Sequence, residues 1–359
     1  NPDKLLSRHK GPFTIIMPPP NANGPLHIGH AFEVAIQDLM IRYYRMKGRK
    51  TLWLPGADHA GFETQVVFDK KLEKEKRSRF QIPRDQLWQE MWRFTQENKK
   101  TMEAQLRRLG ASCDWSREKF TLDPDVIKKT QETFIQLYKD GFVYRGTRLV
   151  NWCIKHQTAF SDLEVKYIEK KDPLYYIKYG PFVLATVRPE TKFGDTAIAV
   201  NPKDKRYKKY IGKEIIAEDI LGPIKLKVIA DEAVDPHFGT GVIKVTPAHD
   251  PTDFEIGLRH KLEVRQVIDK FGRLNEKTGP YQGLKIPEAR EKVAKDLKKK
   301  GLLEKTDENY LHSIAVCYKC ETPIEPQVSP QWFVKMKPLA EKAVAAVEAG
   351  KITFIPDNY

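Results

Sequence analysis

The sequence predicts an α/β protein in which a parallel sheet is interrupted by a long, mainly β insertion. Three observations carry that expectation. FTIIM (Phe13 to Met17) is a short buried-strand pattern, a helical repeat follows it, and TLWLPG (Thr51 to Gly56) reads as the next strand. From Lys166 the texture changes to short β-rich runs with Gly, Pro and Asp between them. Two short Cys/His motifs flank that stretch.

The first strand stops at Pro18-Pro19-Pro20. After the turn, apolar residues at Ile28, Ala31, Phe32, Ala35, Leu39, Tyr43 and Met46 have helical spacing, and Gly48 ends the helix. Strand, turn, helix and strand make one βαβ unit, and ligands of such sheets sit beyond the carboxyl ends of the strands. HIGH (His27 to His30) and PGADHAG (Pro55 to Gly61) both fall there. A helix is expected from Arg84 to Leu109, with Leu87, Trp88, Met91, Phe94, Met102, Leu106 and Leu109 inward and Gly110 as its stop. Asp123 and Pro124 open another, which Gly141 closes. KKLEKEKRSRF, between the site and these helices, reads as a solvated charged segment.

In the insertion, LYYIKYG, FVLATV, AIAV, EIIA, IKLKVIA and GVIKV suggest a compact barrel or sandwich. A Lys-rich helix, Pro287 to Lys300, follows. The expected division is 1–150 for the first part of the α/β domain, 166–308 for the insertion, 151–165 and 309–330 for a knuckle-like connection, and 331–359 for the return.

Composition excludes little but orients the reading. An apolar content of 40% in 359 residues supports real cores. There is no run of eighteen apolar residues, NPDKLLSRHK lacks the apolar core of a signal peptide, and four cysteines make no disulfide framework. The expectation is a cytoplasmic protein, monomeric and without membrane contact. A net charge of +14, from 62 basic and 48 acidic residues, suits a polyanion such as RNA, or equally a Lys-rich surface.

The turn between the first strand and its helix can host chemistry. Asn23-Gly24 can take positive φ, and Gly29 lets a ligand approach the helix backbone. His27 and His30, at i and i+3, share a face at the positive end of the helix dipole, where a phosphate can be held. Capping or packing is the simpler alternative. Cys153-x₂-His156 and Cys317-x₂-Cys320 each have half-site spacing, and together they suit one structural Zn²⁺ that pins the root of the insertion. The alternative is four unliganded side chains. Cys113 has no partner in the pattern and is expected to be buried.

LHIGH resembles the HIGH motif of class I aminoacyl-tRNA synthetases, whose nucleotide-binding domain is Rossmann-type. The resemblance runs along the chain through PPPNANGPLHIGH, LPGADHAGFETQ, NWCIKHQTAFSDLEV, ATVRPETKFGDTAIAV, FGTGVIKVTPAHDPTDFEIG and EPQVSPQWFVKM, and is closest to the valyl branch. Asn23-Gly24 is more like the isoleucyl branch, whereas PAHDPTD is valyl-like. The resemblance implies ATP-dependent attachment of valine to its tRNA, with ATP and Mg²⁺, valine and tRNA as substrates. His27, Gly29, His30 and Asn21 would meet ATP, with His27 and His30 catalytic. Pro19 and Asn21 would shape the amino-acid pocket, and Asp58 would hold the ammonium.

The resemblance also implies that the insertion edits mischarged threonyl-tRNA. Thr186, Arg188, Thr191, Phe238, Lys244, Asp250 and Asp253 would form that pocket. Arg188 and Lys244 would suit phosphate and ribose, Asp250 the ammonium, Asp253 the threonine hydroxyl, and Phe238 an apolar wall. Asp250 and Asp253 can equally be the N-cap and first-turn acid of the following helix. No KMSKS-like segment occurs, so activation by these residues alone is expected to be weak. A free-standing deacylase or tRNA-binding module, and a small-molecule nucleotidyltransferase, are the competing classes.

Overall fold

The computed structural model describes residues 11–354. Contacts divide the chain into two units, one of residues 1–143 with 335–359 and one of residues 144–334.

In the first unit β1 (Phe13–Ile16) leads through the Pro-rich turn to α1 (Ile28–Met46) and back to β2 (Thr51–Leu54). β1 and β2 are parallel, from Phe13↔Thr51 to Ile16↔Leu54, as the βαβ pattern requires. β3 (Gly56–Ala57) pairs in parallel with β4 (Lys119–Phe120). Between them lie α2 (Gly61–Lys74) and α3 (Arg84–Leu109), and α4 (Pro124–Lys139) follows. Gly110 stops α3 in the left-handed region, and Asp123 with Pro124 opens α4.

The charged run is not simply solvated. Its first residues complete α2, whose Thr64, Val66, Phe68 and Leu72 are buried. The buried stripes also differ from the expected ones. In α1 the buried residues are Val34 and Ile41, packed with Met17, Trp53 and Leu106, while Ile28, Phe32, Leu39 and Met46 are exposed. In α3 they are Thr95, Met102 and Leu106, with Trp88 and Leu109 outside. Where apolar residues ring a helix, the period gives the helix but not the face that finds a partner.

The second unit starts with β5 (Val143–Cys153), β6 (Thr158–Phe160), β7 (Val165–Tyr179), β8 (Phe182–Thr186) and β9 (Ala197–Val200). β10 (Glu214–Ala217), β11 (Ile224–Ala230), β12 (Val242–Val245), α5 (Pro251–His260), α6 (Ile286–Lys299), β13 (Leu303–Cys317) and β14 (Ile324–Val334) complete it. α7 (Lys337–Glu348) then belongs to the first unit. The sheets run β10-β11-β9-β12, β13-β7-β8 and β14-β5-β6. The contact division draws its line outside the expected insertion. The β7–β13 ribbon runs from Val165↔Cys317 to Ile177↔Leu303 and so crosses both expected boundaries.

One core joins Tyr175, Ile177 and Tyr179 of β7, Phe182 and Leu184 of β8, Ile198 and Val200 of β9, and Val293 and Leu297 of α6. The opposite face of β9, through Ala197 and Ala199, packs with Ile256 of α5. With both faces covered, all four residues of β9 are buried.

Candidate functional site

At the end of β1, backbone pairing continues past the strand. Asp58 N donates to Pro20 O at 2.9 Å, and Ala22 N donates to Asp58 O at 2.8 Å, which sets Asn21 beside Asp58. The HIGH turn and PGADHAG are thereby neighbours. Pro19 touches the same place, since a Cβ on Gly56 would lie 3.4 Å from the Pro19 Cβ. Asn23 and Gly24 do not use positive φ. The turn is closed instead by Asn23 N donating to Asn21 O.

His27 is the N-cap of α1. Its Nδ1 accepts from Gly29 N at 3.1 Å, and His30 Nδ1 accepts from His27 N at 3.2 Å. Backbone N–H groups only donate, so in the neutral pair each Nε2 carries the proton and is a donor. The rings lie 3.9 Å apart. Burial and the neighbouring His27 hold His30 below the ordinary imidazole range. A Cβ on Gly29 would sit 3.0 Å from the His27 ring, so a side chain there would push that ring aside. The cap and the donor pair are one device.

Asp58 makes the turn bond expected of an aspartate, its Oδ1 accepting from Ala60 N at 2.9 Å and from the Thr121 hydroxyl at 3.1 Å. Thr121 also meets His59 Nδ1 at 2.6 Å. Both Asp58 bonds use Oδ1, and Oδ2 takes part in neither.

In the second unit β8, the turn that follows it, β12 and α5 gather the residues named from ATVRPET and TPAHD. Lys244 donates to Thr191 Oγ1 at 3.1 Å, Thr246 Oγ1 at 2.6 Å and Asp195 Oδ1 at 3.3 Å. Its three protons are engaged. Asp195 accepts from Thr246 Oγ1 at 2.7 Å and from the Tyr179 hydroxyl at 2.6 Å. Asp253 Oδ2 accepts from Thr246 N at 2.8 Å, and Asp250 caps α5 by accepting from Asp253 N at 2.9 Å. Burial, then the charge of Asp250, pushes the Asp253 carboxyl up to about 7. Each of the two carboxylates keeps one oxygen free of these bonds. Thr186 Oγ1 accepts from Arg188 N at 3.0 Å. Phe238 is 40% exposed and meets Tyr310 edge to face.

Arg188 sits between carboxylates. Its Nη2 donates to Glu325 Oε2 at 2.6 Å, its Nε to Glu190 Oε1 at 3.2 Å and its Nη1 to His249 O at 3.1 Å. Glu190 is fully buried. Burial would raise its carboxyl, but Arg290 and Arg188 hold it below the usual range. Arg290 binds it through two nitrogens, at 2.9 and 3.0 Å. Val267 N donates to His249 Nε2, so the proton is on Nδ1, which donates to Glu325 Oε1 at 3.0 Å. Asp195, Thr246, Glu190, His249, Glu325 and Arg290 were not named from the sequence. All but Arg290 lie inside segments quoted for the resemblance, and Glu325 opens EPQVSPQWFVKM; polar residues within such segments were the available signal.

Cys153, His156, Cys317 and Cys320 come together with their ligand atoms all within 4.8 Å of one another. Tetrahedral zinc with bonds of about 2.3 Å to sulfur needs sulfur–sulfur edges of about 3.8 Å. The Cys153 and Cys320 sulfurs are 3.7 Å apart, and His156 Nδ1 is 3.6 Å from Cys153 and 3.5 Å from Cys317. The set fits zinc. Cys113 lies apart and buried, and burial pushes its thiol up to about 11.

The chain belongs to the class I tRNA synthetases (I, L, M and V), whose family pattern it matches over residues 2–359. Among its relatives are proteins named valine–tRNA ligase. That of Carboxydothermus hydrogenoformans is 49% identical over 97% of this chain and 40% of its own length. That of Petrotoga mobilis is 49% identical over the same shares, and that of Thermotoga maritima is 46% identical over 97% and 41%. The chain therefore spans about two fifths of these relatives. A solved ternary complex of Agrobacterium radiobacter K84 LeuRS with tRNA and LeuAMS aligns over 89% of this chain and 46% of that one, at a TM-score of 0.39 and 18% identity.

Proposed function

We propose that this chain is part of a valine–tRNA ligase, which uses ATP to join valine to its tRNA, and that residues 144–334 hydrolyse threonine attached in error. The observation that carries the reading is the buried cluster of Lys244, Thr191, Thr246, Asp195 and Asp253 beside the Asp250 cap. A network this closed costs folding energy unless every member is satisfied, and it leaves two carboxylate oxygens over.

At the first site the free oxygen of Asp58 takes the valine ammonium, and Pro19 and Asn21 border the side chain. His27, Gly29 and His30 receive ATP, accompanied by Mg²⁺. The two Nε2 donors and the helix N-terminus stabilise charge developing on the α-phosphate. At the second site Asp250 holds the ammonium of the threonyl ester and Asp253 the hydroxyl. Phe238 and Thr186 border the pocket. Water attacks the ester carbonyl, the bond to the ribose oxygen breaks, and that oxygen takes the proton as threonine leaves. Lys244 and Arg188 are held by internal partners, so a phosphate or ribose reaching them displaces one of these. Zinc at the four-ligand cluster fixes the chain where it enters and leaves the β core.

The test is deacylation of valine tRNA carrying either amino acid. Threonyl-tRNA should be hydrolysed and valyl-tRNA spared, because a site built around one hydroxyl rejects the analogue lacking it by roughly 10⁴-fold. Asp250→Ala should abolish the activity, and Asp253→Ala should erode the preference. Equal hydrolysis of both esters, or full activity after Asp250→Ala, would reduce these residues to helix caps.

A further inference from the structure

The segment Lys203 to Lys213 carries six basic residues and one acid in eleven positions. Lys203, Lys205, Arg206, Lys208, Lys209 and Lys213 are all exposed. The acid, Asp204, is spent internally, pairing with Arg206 at 2.6 Å. Lys203 has only a 3.8 Å contact to Glu232, with both side chains largely in solvent. Lys205, Lys208, Lys209 and Lys213 form no ion pair among the described residues.

This ridge is not a loose tail. Tyr207 and Tyr210, interleaved with the lysines, pack on the β core, and the Tyr210 ring lies against Phe182. Two hydrogen bonds fasten the ridge to the loop that bears Phe238. Arg206 Nη2 donates to Pro236 O at 2.8 Å, and the Tyr207 hydroxyl donates to Thr240 O at 2.9 Å. Gly241, at a φ of +78°, makes the approach possible, because a Cβ there would meet the Arg206 guanidinium and lie 2.7 Å from Pro236 O. Thr240 in turn donates to Val183 O on β8, the strand that ends at Thr186. A row of anchored cations without acidic partners, Lys209 resting over the Tyr210 ring at 5.0 Å, therefore leads to the edge of the proposed hydrolytic pocket.

We propose that Lys205, Lys208, Lys209 and Lys213 bind the phosphate backbone of the RNA whose 3′ end enters that pocket. Cations held together without acidic partners repel one another, and a polyanion relieves that repulsion while releasing its own counterions. The partner is RNA rather than a lipid surface because the ridge continues into a loop bordering a polar, carboxylate-bearing pocket. Exposed apolar side chains suited to bilayer insertion are absent between positions 203 and 213. This inference rests on the hydrolytic reading and adds the surface that delivers the substrate.

The experiment uses the 359-residue chain and its Lys205→Glu/Lys208→Glu/Lys209→Glu variant, with the Gln triple as a milder companion. Melting temperature checks folding. Binding of uncharged valine tRNA is measured from low to high salt, with hydrolysis of a threonyl ester of adenosine alongside. The Glu triple should bind tRNA at least ~10-fold more weakly at 0.1 M salt, with the salt slope reduced by about 2 to 3 and the Gln triple in between. Hydrolysis of the small ester should be unchanged. Equal tRNA affinity and slope in folded variants would overturn the proposal. So would loss of binding to phosphatidylserine vesicles with tRNA binding intact. If the unmodified chain hydrolyses neither the threonyl ester of adenosine nor threonyl-tRNA, the hydrolytic reading fails, and the tRNA measurement still decides the ridge.

Discussion

The two units close their surfaces differently. In residues 144–334 a four-stranded sheet has helices or strands on both faces, and its charged groups answer one another in the interior. In the first unit the parallel sheets have two strands each, α4 has no buried residue, and Ile28, Phe32 and Leu39 of α1 face outward. Parallel sheets are stable when covered on both sides. The comparison teaches where each proposed reaction gets its rigidity. The hydrolytic pocket is held by its own unit's interior, whereas the HIGH pair depends mainly on the cap and the Asn21–Asp58 bridge.

The sharpest way to break that contrast is to strip the metal. Chelation, or Cys317→Ser, should lower the melting transition of the second unit by many degrees and leave the first unmoved, because site assembly and folding share one free energy. Calorimetry together with metal analysis, which should give about one zinc per chain, checks both halves. Unchanged melting of the metal-free chain would remove the cluster from the account.

Next comes the buried charge network. Glu325→Ala leaves Arg188 and His249 without their shared partner, and breaking a buried pair costs about 3–5 kcal/mol. Urea unfolding should show this loss in the second unit only. Glu325→Gln, which retains one acceptor, should recover part of it.

Asp253 gives a pH-dependent test. Its folded value of about 7 lies above that of an unfolded aspartate, about 3.9. Between those values the folded chain holds a proton that the unfolded chain releases, so stability falls as pH rises through the window. Asn cannot ionise but can still accept from Thr246 N. Asp253→Asn should therefore stabilise the chain above pH 7 by up to about 4 kcal/mol, and the gap should close near pH 4. A pH-independent difference would contradict it.

The smallest effect sharpens the contrast from the other side. Phe32→Ser, on the exposed face of α1, should change stability by no more than about 0.5 kcal/mol, whereas Ile41→Ala, on its buried stripe, should cost about 2–5 kcal/mol. Equal costs would mean that the outer face is covered in solution.

Much of this molecule is local and was legible as such. The end of α3 at Gly110 follows from a left-handed backbone position, the opening of α4 from the fixed φ of Pro124, and the start of α5 from the Asp250 side chain accepting from Asp253 N, each within a few residues. The strands AIAV, EIIA, IKLKVIA and VIKV, and the pairing of the two Cys/His motifs, were likewise set by composition and spacing. What the tertiary structure alone decided depends on distant partners. It chose Val34 and Ile41 as the buried stripe of α1, because periodicity names a helix but not its neighbour. It brought Glu325 to Arg188 across 137 positions, and it placed Asp253 where burial and Asp250 move its proton equilibrium. Those outcomes rest on desolvation and long-range hydrogen bonds, which come into existence only when the chain is folded.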